Sequence, residues 1–419
     1  MKIVVVGGGA SGLVFSILSA RQGHRVTLLE ANSRVGKKLM LTGGGRCNLY
    51  NAAVDARCYN DPYFVGKVFE NCSKEKYLRV IESFGIFTDA PDGEGRVYPI
   101  TYSAASVVDC LRFEATRVGV NIVCDTRVDG IITGKGYTVN AGGRQYCCDK
   151  VVIAVGSGSQ SAKTGLADLV GKEYLTKTVP SLSPLTVNNL PKGTSGVRAK
   201  CEMTLLDNGR RVASERGEIQ FRDFGLSGIC TLNLSAYIAR ARVKGEKNEF
   251  DVSVDFLPDF DEKTLRNILM NRQRSGYTDD QLLVGLLPNK LAETIRRAVA
   301  HDDTDGLVRL VKRYVFKNAE TVDYSLSQVT SGGVKCEFVD EGFNLPDGII
   351  VLGEALNVDG LCGGYNLYFA FVSATRRRRY SLCQEASRFL AKNQQDDEKG
   401  SFPFGYFRKD SSKRSNRSR

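Results

Sequence analysis

A glycine turn wedged between a β-branched strand and an apolar helix, within residues 3–30, leaves this chain few folds to choose from. Ile3, Val4, Val5 and Val6 form a short buried-strand pattern, and Gly7-Gly8-Gly9-Ala10-Ser11-Gly12 follows at once, containing G-x-G-x-x-G. Ala10, Leu13, Val14, Ile17 and Leu18 then recur at helical spacing, and Gly23 stands where that helix should stop. Arg25-Val26-Thr27-Leu28-Leu29 reads as a second strand, closed by Glu30. Each glycine has a reason. Gly7 permits the tight strand-to-helix turn, Gly9 lets the backbone approach a pyrophosphate, and Gly12 lets the helix pack on the strand. The helix N-terminus, with Ala10 and Ser11, offers free N–H groups and partial positive charge to phosphates. Glu30, with Ala31 beside it, is placed to accept ribose hydroxyls. Strand, turn, helix, strand and acid in this order predict a dinucleotide-binding βαβ unit. An acid at position 30 favours a ribose without a 2′-phosphate, which leaves FAD and NAD both open.

The chain has 419 residues, more than one ordinary core, which predicts two or three domains. Its apolar and charged fractions, 42% and 25%, are those of a soluble globular protein. No run reaches 18 apolar residues, so no membrane span is expected. No signal-peptide pattern opens the sequence, and the expected location is the cytoplasm. The twelve cysteines contain no C-x-x-C and are expected to be reduced and structural. With only His24 and His301, neither a zinc site nor a Ser-His-Asp hydrolase is expected. The net charge of +11 is uneven: Arg376, Arg377, Arg378 and Arg379 supply +4, and residues 409–419 supply another +4. Such runs can bind nucleic acid. A solvated tail is the reading taken here, so a nucleic-acid partner is not expected, although the basic runs leave room for one.

Further motifs lie downstream. Gly36-Lys37-Lys38-Leu39-Met40-Leu41-Thr42-Gly43-Gly44-Gly45-Arg46-Cys47-Asn48 is a second anion-friendly loop. Gly95-Arg96-Val97-Tyr98-Pro99 precedes a helix-like stretch at 106–118. Near the C-terminus a strand at 349–352 leads into Gly353-Glu354-Ala355-Leu356-Asn357-Val358-Asp359-Gly360, and Gly363-Gly364-Tyr365-Asn366-Leu367 opens another helix. With PSLSPL at 180–185, GLSG at 225–228 and TSGGV at 330–334, these blocks resemble, in order, the BaiN/YhiN-like flavoproteins. That group is a branch of the FAD oxidoreductases with two dinucleotide-binding domains. The resemblance covers residues 1 to about 373.

The resemblance implies an α/β fold: a Rossmann-like FAD-binding domain (1–183 and 328–393), an inserted β-rich, barrel-like domain (184–257), a helical cap (258–327) and a disordered basic tail (394–419). Short helices are expected at 261–272, 280–287, 289–299 and 305–316, and 184–256 reads as β. The resemblance also implies roles. Glu30 holds the adenosine ribose, and the backbone of Val128 meets the adenine edge. Lys37, Lys38, Gly44, Gly45, Arg46 and Asn48 belong to a cofactor-side loop. Gly353 and Glu354 approach the ribityl and pyrophosphate, and Gly156 follows a strand at 151–155 that reaches the cofactor. Gly364, Tyr365, Asn366 and Leu367 aim a helix N-terminus at the flavin's pyrimidine ring, favouring the charge of reduced flavin.

The expected activity is that of a flavin-dependent reductase. NADH or NADPH reduces FAD at N5, and hydride passes to an electron-poor double bond of a small molecule, such as a steroid-like or bile-acid-like enone. With so few histidines, the proton donor is a tyrosine, a cysteine, a carboxylic acid or water. Arg46, Cys47, Tyr98 and Tyr365 are catalytic candidates because they fall within the motif blocks. Two alternatives are an RNA-linked flavoenzyme and a flavin-bearing regulatory protein with little turnover. The chain departs from the family pattern in three places: Val339-Asp340-Glu341-Gly342-Phe343-Asn344, Gly156-Ser157-Gly158, and the arginines after Ser373-Ala374-Thr375. These bear on the substrate and the electron donor rather than on FAD.

Overall fold

The β-branched run near the N-terminus becomes the middle of a five-stranded parallel sheet in the computed structural model, which describes residues 1–70, 72–157 and 165–375. The strand order is Ile350–Val351, Lys150–Ile153, Lys2–Val6, Arg25–Leu29 and Asn121–Val123. Every neighbouring pair is parallel. Ile3, Val4, Val5 and Val6 are all buried, as expected for a central strand covered on both faces. Helix Ala10–Arg21 packs on this sheet, and helices Ala104–Arg117 and Tyr365–Thr375 pack on that helix. An antiparallel meander, Val128–Thr133, Tyr137–Ala141 and Arg144–Cys148, stands beside it. There Cys147 is exposed and Cys148 buried, the alternation a strand imposes. All cysteines of the described residues are free. No helix among those residues is long and apolar enough to cross a membrane.

Residues 1–376 make one compact unit holding two large apolar clusters. The second cluster fills a seven-stranded sheet in the order Tyr314–Phe316, Phe250–Asp255, Arg198–Asp207, Arg210–Arg222, Gly225–Ser227, Leu185–Thr186 and Glu320–Thr321. The two end strands are consecutive in sequence, so the link Lys317-Asn318-Ala319 brings both edges of the sheet to one place. Asn189 holds that link: its Nδ2 donates to the Val315 carbonyl and its Oδ1 accepts from the Lys317 amide. Helices Glu262–Arg274, Asn289–Arg297 and Thr304–Lys312 share this core through Leu265, Leu269, Leu291, Ile295, Leu307 and Val311.

Three sequence expectations need correction here. Residues 184–256 are not all β, because Ile229–Val243 is a fifteen-residue helix. It is buried on nearly every side, from Cys230 through Ala241, and so carries no amphipathic stripe. The stretch 280–287 holds only a short 3-10 turn, Asp279–Gln281. Gly285 takes a left-handed φ of 77°, and Pro288 disfavours helix in the residue before it. The fourth expected helix stops at Lys312, and Tyr314–Phe316 pairs with Val252, Ser253 and Val254. The arginine run 376–379 and the basic tail lie outside the described residues.

One buried ion pair links the two clusters. Arg240, on helix Ile229–Val243, reaches Asp359 at 2.9 Å, and Asp359 is only 1% exposed. Burial pushes the Asp359 carboxyl up, against the pull of Arg240. We expect Arg240→Ala to cost about 3–5 kcal/mol at neutral pH, because it strands a buried charge. A carboxyl raised in the folded state destabilises most where it must ionise. The deficit should therefore shrink as pH falls toward the ordinary carboxylate range and grow as pH rises. Urea unfolding of parent and variant at several pH values measures this; a pH-independent deficit contradicts it.

Candidate active site

The glycine turn shows what each position needs. Gly7 has φ +103°, and a Cβ there would lie 2.5 Å from the Ala154 carbonyl. A Cβ on Gly12 would lie 1.9 Å from the Gly7 carbonyl, so the helix could not pack where it does. Gly9 is different: a Cβ would meet only the Ala154 carbonyl, at 4.0 Å. It caps helix Ala10–Arg21 with ordinary backbone angles. That helix has no capping side chain and no acid in its first turn, and its first intrahelical bond runs from the Leu13 amide to the Gly9 carbonyl. Its leading amides and positive end suit an anion.

Glu30 is 8% exposed and extensively bonded. Its Oε2 accepts from the Gly8 amide at 2.7 Å, and its Oε1 accepts from the Asn32 amide and side chain at 2.8 and 2.6 Å. A carboxylate has about four acceptor positions. With three taken, about one remains for a ribose hydroxyl. Lys38 Nζ meets Glu354 Oε2 at 2.6 Å, tying the N-terminal loop to the C-terminal return.

The triple glycine is also explained. Gly43, Gly44 and Gly45 have φ of 58°, 65° and 85°, a left-handed run that side chains resist. The turn delivers Asn48 to Gly364, where a Cβ would lie 2.7 Å from Asn48 Oδ1. Asn48 is 7% exposed, and its Oδ1 has no hydrogen-bond partner among the described residues. Such a buried orphan acceptor is costly unless a ligand satisfies it. Beside it the Arg46 guanidinium lies over the Tyr98 ring at 5.0 Å. The segment before helix Tyr365–Thr375 is cross-braced. Asn366 bonds Gly360 through both side-chain atoms, Asn60 bonds Asn357 and Asp359, and Asn51 Nδ2 donates to the Gly363 carbonyl.

These groups line one cavity of about 560 Å³, within the usual range of small-molecule sites. Of the residues singled out in the sequence, Gly7, Gly9, Ala10, Ser11, Glu30, Lys37 and Lys38 lie on its wall. So do Gly44, Arg46, Asn48, Tyr98, Gly156, Glu354, Gly364, Asn366 and Leu367. Others stand behind it. Gly12 sets the helix, and a Cβ on Gly353 would meet Ser11 Oγ at 2.7 Å. Ala31, Gly45 and Val128 are off the wall, Val128 standing in the meander. Cys47 is wholly buried, with its thiol pushed up to about 12 by burial. Tyr365 packs edge-on to Tyr59, whose hydroxyl donates to the Tyr365 carbonyl. Of the four catalytic candidates, Arg46 and Tyr98 stand on the wall and Cys47 and Tyr365 stand off it.

Sequence reasoning missed part of the wall. Leu182, Ile229, Leu232 and Val329 give an apolar face, and Arg96, Gln328 and Cys362 stand among them. Arg96 and Leu182 sat inside the motif blocks, and Cys362 fell in the two-residue gap between Gly360 and Gly363. Ile229 and Leu232 were hidden by the β reading of their helix.

The donor set fits a dinucleotide with a flavin: a helix N-terminus without a cap, a nearly saturated acid at the second strand, and an orphaned buried acceptor by a second helix N-terminus. Two substitutions separate site from scaffold. Gly9→Val should fold with the melting temperature of the FAD-free parent and lose FAD, since its side chain enters the cavity. Gly12→Val should fail to fold stably. Glu30→Ala should weaken FAD binding by about 1.5–3 kcal/mol. Melting curves and FAD titrations measure all three, and a Gly9→Val protein with parental affinity contradicts the assignment.

Comparison with known proteins assigns the chain to a family. Residues 1–378 match the family described as HI0933-like protein Rossmann domain. A 3-dehydro-bile acid delta(4,6)-reductase of Clostridium scindens is 32% identical over 400 residues, covering 89% of this chain and 97% of that protein. A ribosomal RNA dihydrouridine synthase of Escherichia coli is 26% identical over 397 residues, covering 88% and 95%. Among solved structures, a 3-ketosteroid delta1-dehydrogenase of Sterolibacterium denitrificans aligns over 89% of this chain and 98% of its own, at 10% identity and a TM-score of 0.42. The chain is a member of the HI0933-like Rossmann family of FAD-dependent oxidoreductases.

Proposed function

We propose that this protein is a reductase of carbon–carbon double bonds conjugated to a carbonyl, with a steroid-like enone as substrate and NADH or NADPH as electron donor. The observation that carries this reading is the apolar face of Leu182, Ile229, Leu232 and Val329 in the same cavity as the dinucleotide turn. An apolar wall with a few polar groups suits a flat hydrophobic ligand. The 32% identical bile-acid reductase supports the substrate class. When bound, the flavin supplies a carrier that accepts and donates hydride. The chain's own groups do the rest. Helix Ala10–Arg21 and Lys38 hold phosphate charge, Glu30 takes a ribose hydroxyl, and Asn48 receives a donor through its free Oδ1. Arg46, over the Tyr98 ring, puts positive charge where a carbonyl oxygen gains negative charge during reduction, while Arg96 is held by Asp92 and Glu94. In the same reading, residues 184–327 form an inserted barrel-like domain with its helical cap, closing over the cofactor domain, and the protein works in the cytoplasm.

A second reading has a specific basis. Two relatives are ribosomal RNA dihydrouridine synthases, and the net charge is +11. Dihydrouridine is uridine with its ring double bond saturated, and that bond is also conjugated to a carbonyl. The chemistry is then shared, and the substrate is a uridine in RNA. The test is anaerobic. FAD-loaded protein is reduced with NADH or NADPH and mixed with 4-androstene-3,17-dione or with a ribosomal RNA transcript. We expect flavin colour to bleach with a nicotinamide and to return with the steroid. Return with RNA alone selects the second reading, and return with neither overturns the reaction class.

A further inference from the structure

We propose that Cys362 is the proton donor of this site, a role that rests on the reductase reading above. Only four groups of carboxyl, phenol or thiol type stand on the described wall: Glu30, Tyr98, Glu354 and Cys362. Glu30 is taken up by Gly8 and Asn32, and Glu354 by Lys38. The Tyr98 ring is covered by the Arg46 guanidinium and stacked on Tyr102 at 5.5 Å. Cys362 remains. It is half-buried on the apolar face, against Leu182, Leu232 and Val329. It lies two residues before Gly364, whose neighbour Asn48 holds the orphaned buried acceptor. The thiol thus lies between the place where a ligand donor is required and the surface where an apolar substrate rests.

Its position is set by a relay from the second sheet. The Cys362 amide donates to Asn233 Oδ1 at 2.8 Å, and Asn233 Nδ2 donates to Glu215 Oε2 at 3.1 Å. The thiol donates to Gln328 Oε1 at 3.6 Å. Burial pushes the thiol up to about 11, with Arg96 opposing and Glu94 and Glu215 adding to the rise. It therefore carries its proton at neutral pH, as an acid must. The step balances as follows. Hydride from reduced flavin forms a C–H bond at the far carbon of the double bond, and the π pair moves toward the carbonyl. That pair then takes the S–H proton at the carbon next to the carbonyl. The flavin is oxidised by two electrons, the substrate is reduced by two, and the thiolate regains a proton from water.

The experiment has two arms on FAD-loaded full-length protein. In the first, iodoacetamide labelling of Cys362 is followed by peptide mass spectrometry, with exposed Cys147 as the reference in the same digest. We expect labelling that climbs about tenfold per pH unit between about pH 7 and 10, as the thiolate fraction of a weakly acidic thiol does. No labelling, or a flat profile, overturns the proposal without reference to any substrate. In the second, dithionite-reduced Cys362→Ala and Cys362→Ser proteins are mixed with 4-androstene-3,17-dione and with the ribosomal RNA transcript. We expect parental flavin spectra and parental reoxidation by oxygen, but reoxidation by the conjugated substrate slowed about 100-fold or more. Undiminished rates in both variants overturn the role of Cys362 alone. Altered spectra in both assign the residue to structure and overturn it too. A parent that reduces neither probe overturns the reductase reading, and the proposal with it.

Discussion

Everything at the cofactor end hangs on the contact between Gly12 and the Gly7 carbonyl. A single Cβ would stand 1.9 Å from that oxygen. Because nothing intervenes, helix Ala10–Arg21 begins directly above the central strand, and its leading amides open on the cavity. The same closeness fixes Gly8, whose amide anchors Glu30 at the end of the second strand. Helix Tyr365–Thr375 packs on Ala10–Arg21 in turn, so the C-terminal helix takes its place from the N-terminal one. Site geometry is here a consequence of backbone packing, and side chains refine it.

The second organising feature is how the C-terminal return is held. Residues 357–364 have little regular structure, so their backbone groups must find partners elsewhere. Asn51, Asn60, Asn233 and Asn366 provide them, with the Arg240–Asp359 pair beneath. Amides that both donate and accept suit irregular backbone, since each can bridge a carbonyl and an N–H at once. Under helix Tyr365–Thr375 lies an aromatic cluster in which Tyr77 contacts Tyr50, Tyr368 and Phe371. The loop rests on stiff rings and is laced by amides, which suits a site that must hold a reacting geometry.

Legibility in the sequence followed locality. The turn at Gly7–Gly12 and the acid at Glu30 were readable because their roles depend on neighbours a few residues away, and both stand on the cavity wall. The glycine triplet and the Gly363-Gly364 pair were readable as loops for the same reason, since left-handed backbone shows itself in residue type. Helix Ile229–Val243 was not, because burial on all sides erases the period of 3.6 and leaves Leu232-Asn233-Leu234-Ser235 looking alternate. Its flanking Gly228 and Gly245 were the available signals. Cys47 and Tyr365 stand off the wall while their neighbours line it, because motif membership says nothing of which way a side chain faces. Cys362, between two of the blocks, was overlooked because its partners Asn233 and, through it, Glu215 lie more than a hundred residues earlier in the chain.

The edge strand Ile350–Val351 gives the fold a timetable. The parallel sheet has four strands once residue 153 has emerged from the ribosome, but its fifth strand and the helix at 365 come about 200 residues later. At about 5–20 residues per second that interval is roughly 10–40 s. During it the glycine turn exists without helix Tyr365–Thr375, while the second sheet and its helices, which share a core of their own, can fold. An abortive chain ending before that strand would carry the turn yet lack Glu354, Gly364, Asn366 and Leu367, so one side of the cavity would have no wall.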